Sequence, residues 1–173
     1  MTNSTTTTIH RRSIDTPVGV LTIDVTDDGI RAVTWPSDAD GERVRRADDA
    51  VEDDHPLLDA AAAQLHEYFA GARTEFDLPL DPVGTEFQRD AWTALCAIPF
   101  GETASYGDQA ERMGDRGKAR AVGTANGKNP ISVIVPCHRV IGADGSLTGF
   151  AAGLDVKSWL LDHERRVAGH TLV

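Results

Sequence analysis

Ile131-Ser132-Val133-Ile134-Val135-Pro136-Cys137-His138-Arg139-Val140-Ile141 is the stretch around which the rest of the chain can be read. Ile131, Val133, Ile134 and Val135 predict an apolar strand. The strand runs into a Pro-Cys-His turn and leaves through a second short apolar run. A thiol and an imidazole therefore stand together where a buried strand ends. A thiol held there is rigid and shielded from bulk water, with a base beside it, which is the setting in which a reactive thiolate forms. An isolated buried cysteine is more often a small hydrophobe than a nucleophile. The neighbours argue for chemistry. Asn129-Pro130 lies upstream, and a glycine-rich loop, Gly142 to Gly153, lies downstream. Trp159 to Glu164 then form part of a helix, Val156–Glu164, able to return a carboxylate.

Upstream of the Cys-His turn, Ser105–Met113 and Lys118–Ala125 predict two short helices parted by Gly114-Asp115-Arg116-Gly117. Short helices, a tight glycine-containing turn and a basic second helix are the grammar of a helix-turn-helix. The second helix carries Ala119, Ala121, Gly123, Thr124 and Ala125, all small, with Arg120 as the one long side chain. Small side chains let a helix approach a narrow groove, and a single long one can enter a base stack as a wedge. Before these, Thr85 to Ile98 predicts a helix capped by Thr85, with Phe87, Ala91, Trp92, Leu95 and Cys96 on its buried side. On that reading Cys96 is core.

The first half reads differently. Ile9–Ile14, Val18–Val25 and Ile30–Trp35 predict a β-meander, with turns at Thr16-Pro17-Val18-Gly19 and Asp27-Asp28-Gly29. Residues 37–54 are charged and predict a solvated loop or a short exposed helix. Pro56 to Ala70 is a helix closed by Gly71, Phe76 to Leu80 a final strand, and Pro79, Asp81, Pro82 and Gly84 a linker. Nothing in this half carries chemistry. His55 sits at a helix start and His66 on its surface. His10, His55 and His66 have no cysteine spacing that suggests structural zinc, so no metal ligand is expected.

At 173 residues the chain has room for one large or two small domains. No apolar run approaches the roughly 18 residues of a membrane span. The Thr-rich start, residues 1–8, reads as a frayed tail, not a signal peptide. Two cysteines argue against a disulfide framework and for a reduced, cytoplasmic setting. The net charge of −10 is unevenly spread. Residues 1–81 hold 7 basic against 17 acidic groups, whereas residues 82–173 hold 10 of each. Between positions 112 and 128, Arg112, Arg116, Lys118, Arg120 and Lys128 oppose only Asp115. A local basic patch suits phosphate while the remaining surface repels it. Acidity dominated by Asp, with only three Lys, favours a high-salt cytoplasm over a merely acidic domain.

Pro136-Cys137-His138-Arg139-Val140 resembles the active-site pentapeptide of the methylated-DNA–protein-cysteine methyltransferases, or O6-alkylguanine-DNA alkyltransferases. Phe87-Gln88 with Trp92, Ile98 to Glu102, Ser105-Tyr106, Ala119 to Gly123, Gly127 to Pro130 and Leu160 to Glu164 resemble the family in its order and spacing. The likeness is dense over residues 84–166 and weak before them. It implies a mixed α/β (α+β) protein. A ribonuclease-H-like domain over residues 9–81 would precede a mainly helical, winged helix-turn-helix-like domain over residues 84–173 carrying the active site.

The resemblance also implies roles. Cys137 takes the alkyl group, His138 is its base through a bound water, and Glu164 orients and charges the imidazole. Tyr106 bonds guanine N3 and presses the backbone phosphate, and Asn129 ties the recognition region to the active-site turn. The carbonyls of Cys137 and Val140 accept from the exocyclic amine, while Phe150 and the Ala151 N–H complete the pocket. Lys118, Ala119, Arg120, Ala121 and Gly123, with Tyr106, bind DNA, and Arg120 fills the space left by the extruded base. Phe150 stands where Tyr is common and Ala152 where Gly is common, which predicts poorer tolerance of O6-benzyl substrates. The expected reaction is a single, irreversible transfer from O6-methylguanine, extending to O4-methylthymine, by a monomer in the minor groove of double-stranded DNA, with no cofactor and no membrane partner. The alternatives are a non-catalytic lesion recogniser, a helix-turn-helix regulator and a Cys-His-Glu hydrolase. The regulator would need polar side chains on its recognition helix, which Ala119, Ala121 and Gly123 do not supply.

Overall fold

The computed structural model describes residues 7–38, 41, 43, 44 and 46–169. Of the tail predicted over residues 1–8, only Thr7 and Thr8 fall among these; both are exposed and outside any regular element. Three strands, β1 (His10–Thr16), β2 (Gly19–Val25) and β3 (Ile30–Thr34), form an antiparallel meander in that order. Leu21, Ile23 and Val25 of β2 are fully buried, as are Ile30 and Val33 of β3. Asp24, also buried in β2, is matched by the Arg11 fork at 2.7 and 2.8 Å. Helix α1 (Pro56–Phe69) packs on β1 and β2 through Leu58, Ala61, Leu65 and Tyr68. The His55 side chain caps it by accepting the Leu57 N–H.

The second half holds α2 (Glu86–Cys96), β4 (Ala104–Ser105), α3 (Tyr106–Arg112), α4 (Ala119–Gly127), β5 (Val140–Ile141) and α5 (Leu154–Val167). Thr85 caps α2 and Ser105 caps α3, each in a reciprocal capping box with the residue three places on. Helices α2, α3 and α4 are locked by buried amides. Gln109 and Asn126 exchange hydrogen bonds of 2.9 and 2.8 Å, Gln109 also donates to the Ala91 carbonyl, and Trp92 Nε1 donates to that of Ala125. Strands β4 and β5 pair in parallel, Ala104 with Val140 and Ser105 with Ile141. That pairing sets the start of α3 beside the exit from the Cys137 turn.

The predicted strand over Ile131–Val135 does not form. Only Ile131 makes a bridge, to Val33 of β3, and Val135 N–H turns back to the Ile131 carbonyl. Val133 has φ +71°, a left-handed conformation unfavourable for a β-branched residue. An apolar run satisfies burial equally well in a ladder or in a tight turn, so the pattern could not separate them. Phe76–Leu80 is likewise no strand; Leu80 alone bridges Ile30. Cys96 is exposed at the last position of α2, outside the stripe formed by Ala91, Trp92 and Leu95. Nor are residues 37–54 uniformly solvated, since Asp38 is 1 % exposed. One apolar cluster runs through both halves of the chain, from Ile23, Val33 and Trp35 to Trp92, Ile131, Val135 and Leu160. Among the described residues no helix is long and apolar enough to cross a membrane.

Candidate active site

The Cys137–Arg139 segment is one turn of 3₁₀ helix, entered from Pro136 and left through β5. It is seated on the N-terminal sheet, because Val33 N–H donates to the Pro130 carbonyl and Ser132 N–H to that of Val33. Asn129, wholly buried, braces the same turn. Its Nδ2 donates to the Val135 carbonyl at 2.9 Å and its Oδ1 accepts the Ile131 N–H at 3.0 Å. Cys137 remains partly exposed, among buried neighbours. It opens onto a cavity of about 670 Å³ that Tyr106, Arg120, Thr148, Phe150 and Ala151 also line. Burial pushes the thiol above its ordinary pKa, while the Asn129 side chain and the Arg43 and Lys157 charges pull it back. The thiol therefore needs a base.

His138 is fully buried next to it. Its Nε2 lies 2.6 Å from Glu164 Oε2. A carboxylate only accepts, so Nε2 carries the proton and Nδ1 presents a lone pair. Nδ1 has no hydrogen-bond partner among the described residues. Burial lowers the His138 pKa, with Glu164 opposing. The imidazole is thus held neutral, in the tautomer a general base requires.

Glu164, in the last turn of α5, is 1 % exposed. Besides His138 it accepts from Arg139 Nε at 2.7 Å, Arg139 Nη2 at 3.2 Å, Tyr68 Oη at 2.6 Å and the Gly101 N–H at 3.3 Å. Burial alone would raise its pKa, but the hydrogen bonds from His138 and Arg139 and the Arg139 charge outweigh it and hold the carboxyl far below the usual range. Arg139 is itself anchored to the Ile98 carbonyl at 2.7 Å. Lys157, also wholly buried, donates to the carbonyls of Val140 at 2.6 Å and Thr148 at 2.9 Å. Burial lowers the pKa of its ammonium and the Cys137 sulfur raises it.

Two contributors come from the half expected to carry no chemistry. Tyr68 of α1 donates to Glu164, and Arg43 spans the halves. Its Nη1 donates to the carbonyls of Asn129 at 2.8 Å and Gly127 at 3.2 Å, while Nε and Nη2 grip the buried Asp38 at 2.8 and 2.7 Å. Neither residue lies in a motif, and an apolar stripe or a charged loop gives no sign of such reach.

Around the cavity, Tyr106 opens α3 and its Oη is 2.7 Å from Thr148 Oγ1. Gly123 of α4 faces the Tyr106 ring, where a Cβ would stand 3.5 Å away. Arg120, Ala121 and Lys118 are exposed and Ala119 is half-buried, so the small-residue face of α4 lies beside the cavity mouth. Phe150 packs edge-on against Trp35, ring centroids 5.9 Å apart. Between Gly149 and Gly153 the positive φ falls on Gly153, at +99°; Ala152 avoids the left-handed region.

The spacing of the histidines predicts no metal site, yet the fold brings ligand atoms of His10, Asp27 and His55 within 4.8 Å of one another. Both imidazoles are engaged. His10 Nδ1 meets Asp53 at 2.6 Å. His55 Nδ1 accepts the Leu57 N–H, so its Nε2 is the protonated nitrogen facing Asp27 at 3.0 Å. A metal at that nitrogen would displace the α1 cap. The cluster lies around the starts of β1 and α1, and none of its residues lines the Cys137 cavity.

Residues 86–166 match the 6-O-methylguanine DNA methyltransferase DNA-binding domain, and residues 9–82 match the ribonuclease-like domain of the same enzymes. The methylated-DNA–protein-cysteine methyltransferase of Mycolicibacterium paratuberculosis is 48 % identical over 165 residues, covering 91 % of this chain and 93 % of its own. That of Methanosarcina acetivorans is 43 % identical over 150 residues, covering 87 % and 94 %. The crystal structure of Mycobacterium tuberculosis OGT in complex with DNA superposes with a TM-score of 0.83 at 44 % identity, covering 91 % of this chain and 94 % of that one. The two matched domains, the relatives alike over nearly their whole length and the superposed crystal structure agree: the chain belongs to the methylated-DNA–protein-cysteine methyltransferase family.

Proposed function

We propose that the chain carries out its family's DNA repair by moving the alkyl group of O6-methylguanine onto Cys137 Sγ, once per molecule and without a cofactor. The observation that carries this reading is the His138 imidazole, bonded to Glu164 through Nε2 with its Nδ1 lone pair unengaged among the described residues, next in sequence to the cavity thiol. Adjacent residues rarely face each other, so one water carries the Cys137 proton to Nδ1. Glu164 stabilises the imidazolium that results. The thiolate attacks the methyl carbon, an S–C bond forms, and the C–O6 bond breaks with its electron pair left on the guanine ring. The proton released from the thiol balances that charge at guanine N1 through solvent. The thioether is neutral and offers water no leaving group, so the protein is spent.

Tyr106 donates to N3 as negative charge gathers there. The Cys137 and Val140 carbonyls and the Ala151 N–H read the base edge, and Phe150 stacks on it. Val140 O already accepts from Lys157, which leaves one lone pair for the exocyclic amine. Helix α4 enters the minor groove of double-stranded DNA with Ala119, Ala121 and Gly123 against the backbone and Lys118 on phosphate. Arg120 takes the place of the flipped base, and its position at the cavity rim supports this role. Asn129 keeps recognition and chemistry in register. The same pocket extends to O4-methylthymine. We read the working unit as a cytoplasmic monomer with a domain division near residues 82–83.

Incubation with duplex DNA holding one O6-methylguanine tests the reading by intact and peptide mass. One added methyl on the peptide containing Cys137 supports it. Lesion binding without mass change would instead make this a recognition protein.

A further inference from the structure

Thr148 sits on the pocket loop between two partners. Its hydroxyl lies 2.7 Å from the Tyr106 phenol oxygen, and its carbonyl accepts from Lys157 at 2.9 Å. The same Lys157 nitrogen donates to Val140 O at 2.6 Å, on the strand leaving the Cys137 turn. Lys157 is wholly buried and makes no carboxylate ion pair among the described residues. It therefore gives two of its donors to a strand carbonyl and a loop carbonyl and fixes Thr148 relative to Cys137. A β-branched side chain has few rotamers, so a fixed backbone also fixes Oγ1. Tyr106, Thr148 and Cys137 line one cavity.

We propose that Thr148 is the positioning residue for Tyr106: its hydroxyl holds the phenol in the empty pocket and donates to the phenol oxygen once a base is bound. This rests on the reading of function above. A phenol has one proton. In the empty site the more acidic phenol donates to Thr148. When guanine enters and charge builds on N3, that stronger acceptor takes the phenol proton's hydrogen bond. The phenol oxygen then needs a donor, and the Thr148 hydroxyl, already at bonding distance, rotates its proton to supply it. The chain Thr148–Tyr106–N3 polarises in one direction, strengthening the bond that matters as the C–O6 bond breaks. No proton changes owner in this step.

The test compares wild type, Thr148→Val, Thr148→Ser, Tyr106→Phe and the Thr148→Val/Tyr106→Phe double variant. The readouts are the first-order transfer rate at saturating lesion DNA and, separately, affinity for unmodified DNA. Thr148→Val should slow transfer about 5- to 10-fold, the range of one hydrogen bond, with DNA affinity changed less than about twofold. Thr148→Ser should restore the rate. The double variant should be no slower than Tyr106→Phe, because the hydroxyl works only through the phenol. A Thr148→Val rate equal to wild type would overturn the proposal. So would a faster rate, which would make the contact a latch, or a double variant whose losses multiply. Wild-type protein that took up no methyl would end the functional reading itself; transfer with an unaffected Thr148→Val would end this inference alone.

Discussion

Tyr68 in α1 donates a 2.6 Å hydrogen bond to Glu164 in α5, joining residues 96 positions apart across the two halves of the chain. The carboxylate it reaches is the one that holds the His138 imidazole. The N-terminal half therefore helps to build the active site, and is more than a rider on it. His163 reinforces the junction by bonding to the Tyr68 carbonyl at 2.7 Å.

Replacing Tyr68 with Phe removes a donor from a buried carboxylate while keeping the ring packed on Phe76 and Phe100. Hydrogen bonds to charged groups are worth about 1.5–3 kcal/mol, and the unfolding free energy in denaturant should fall by about that much. Arg139 and His138 still hold Glu164, so the transfer rate should change by less than about threefold, well under one hydrogen bond's worth. An unchanged denaturation midpoint would mean that the bond does not stabilise the fold.

Arg43 is the second link between the halves, and its loss exposes a different weakness. Arg43→Leu strands the Asp38 carboxylate, whose side chain is 2 % exposed. An unpaired buried charge typically destabilises by about 3–5 kcal/mol. Adding Asp38→Asn should recover part of that loss, because it removes the stranded charge. Urea unfolding of the three proteins checks this; equal destabilisation of the single and double variants would contradict it.

Acid should act through His138 first and Glu164 second. The folded His138 pKa is depressed by burial. Below its unfolded value of about 6.5 the unfolded chain takes up a proton that the folded chain refuses, so stability falls with pH. Glu164 is depressed by its partners, so its contribution is present above an unfolded value of about 4.3 and is lost as pH falls through the lower folded value. His138→Gln should therefore flatten the stability profile between about pH 7 and 5 while leaving the steeper loss below about pH 4.5. Parallel profiles for the two proteins would contradict the assignment.

How much of this was legible in the sequence follows from where each residue sits. Cys137, His138, Asn129 and Glu164 lie in the motif-rich second half, and the fold brings them together. The helix-turn-helix was readable too, because caps, turn glycines and helical spacing are local signals. The sheet meander was readable from its alternation. The links across the halves were not. Tyr68 looks like any core aromatic on a helical stripe, and Arg43 like any arginine in a charged loop. Their roles exist only through contacts made 86 and 96 positions away. The Ile131–Val135 run misled because apolarity reports burial and says little about backbone path; Val133 at φ +71° carries the chain through a turn instead. Cys96 misled for a related reason: it is the last residue of α2, where the buried stripe has already rotated away.

The basic patch makes a quantitative claim about DNA. Lys118 is exposed beside α4 and free of acidic partners among the described residues. If it lies on a phosphate, Lys118→Ala should reduce the salt slope of log affinity by about 0.9. Arg120→Ala should slow methyl transfer more than it changes that slope, because a side chain in the base stack neutralises no phosphate. Affinity measured by fluorescence anisotropy across a salt series decides it. A Lys118→Ala slope equal to wild type would remove Lys118 from the phosphate contacts.

The central claim is that one sulfur atom accepts the alkyl group and is consumed. The most direct measurement mixes the protein with a molar excess of duplex carrying radiolabelled O6-methylguanine and counts label transferred to protein at completion. One label per protein molecule, lost entirely in Cys137→Ser, is the predicted result. Label exceeding one per molecule, or lesion loss continuing in Cys137→Ser, would contradict it.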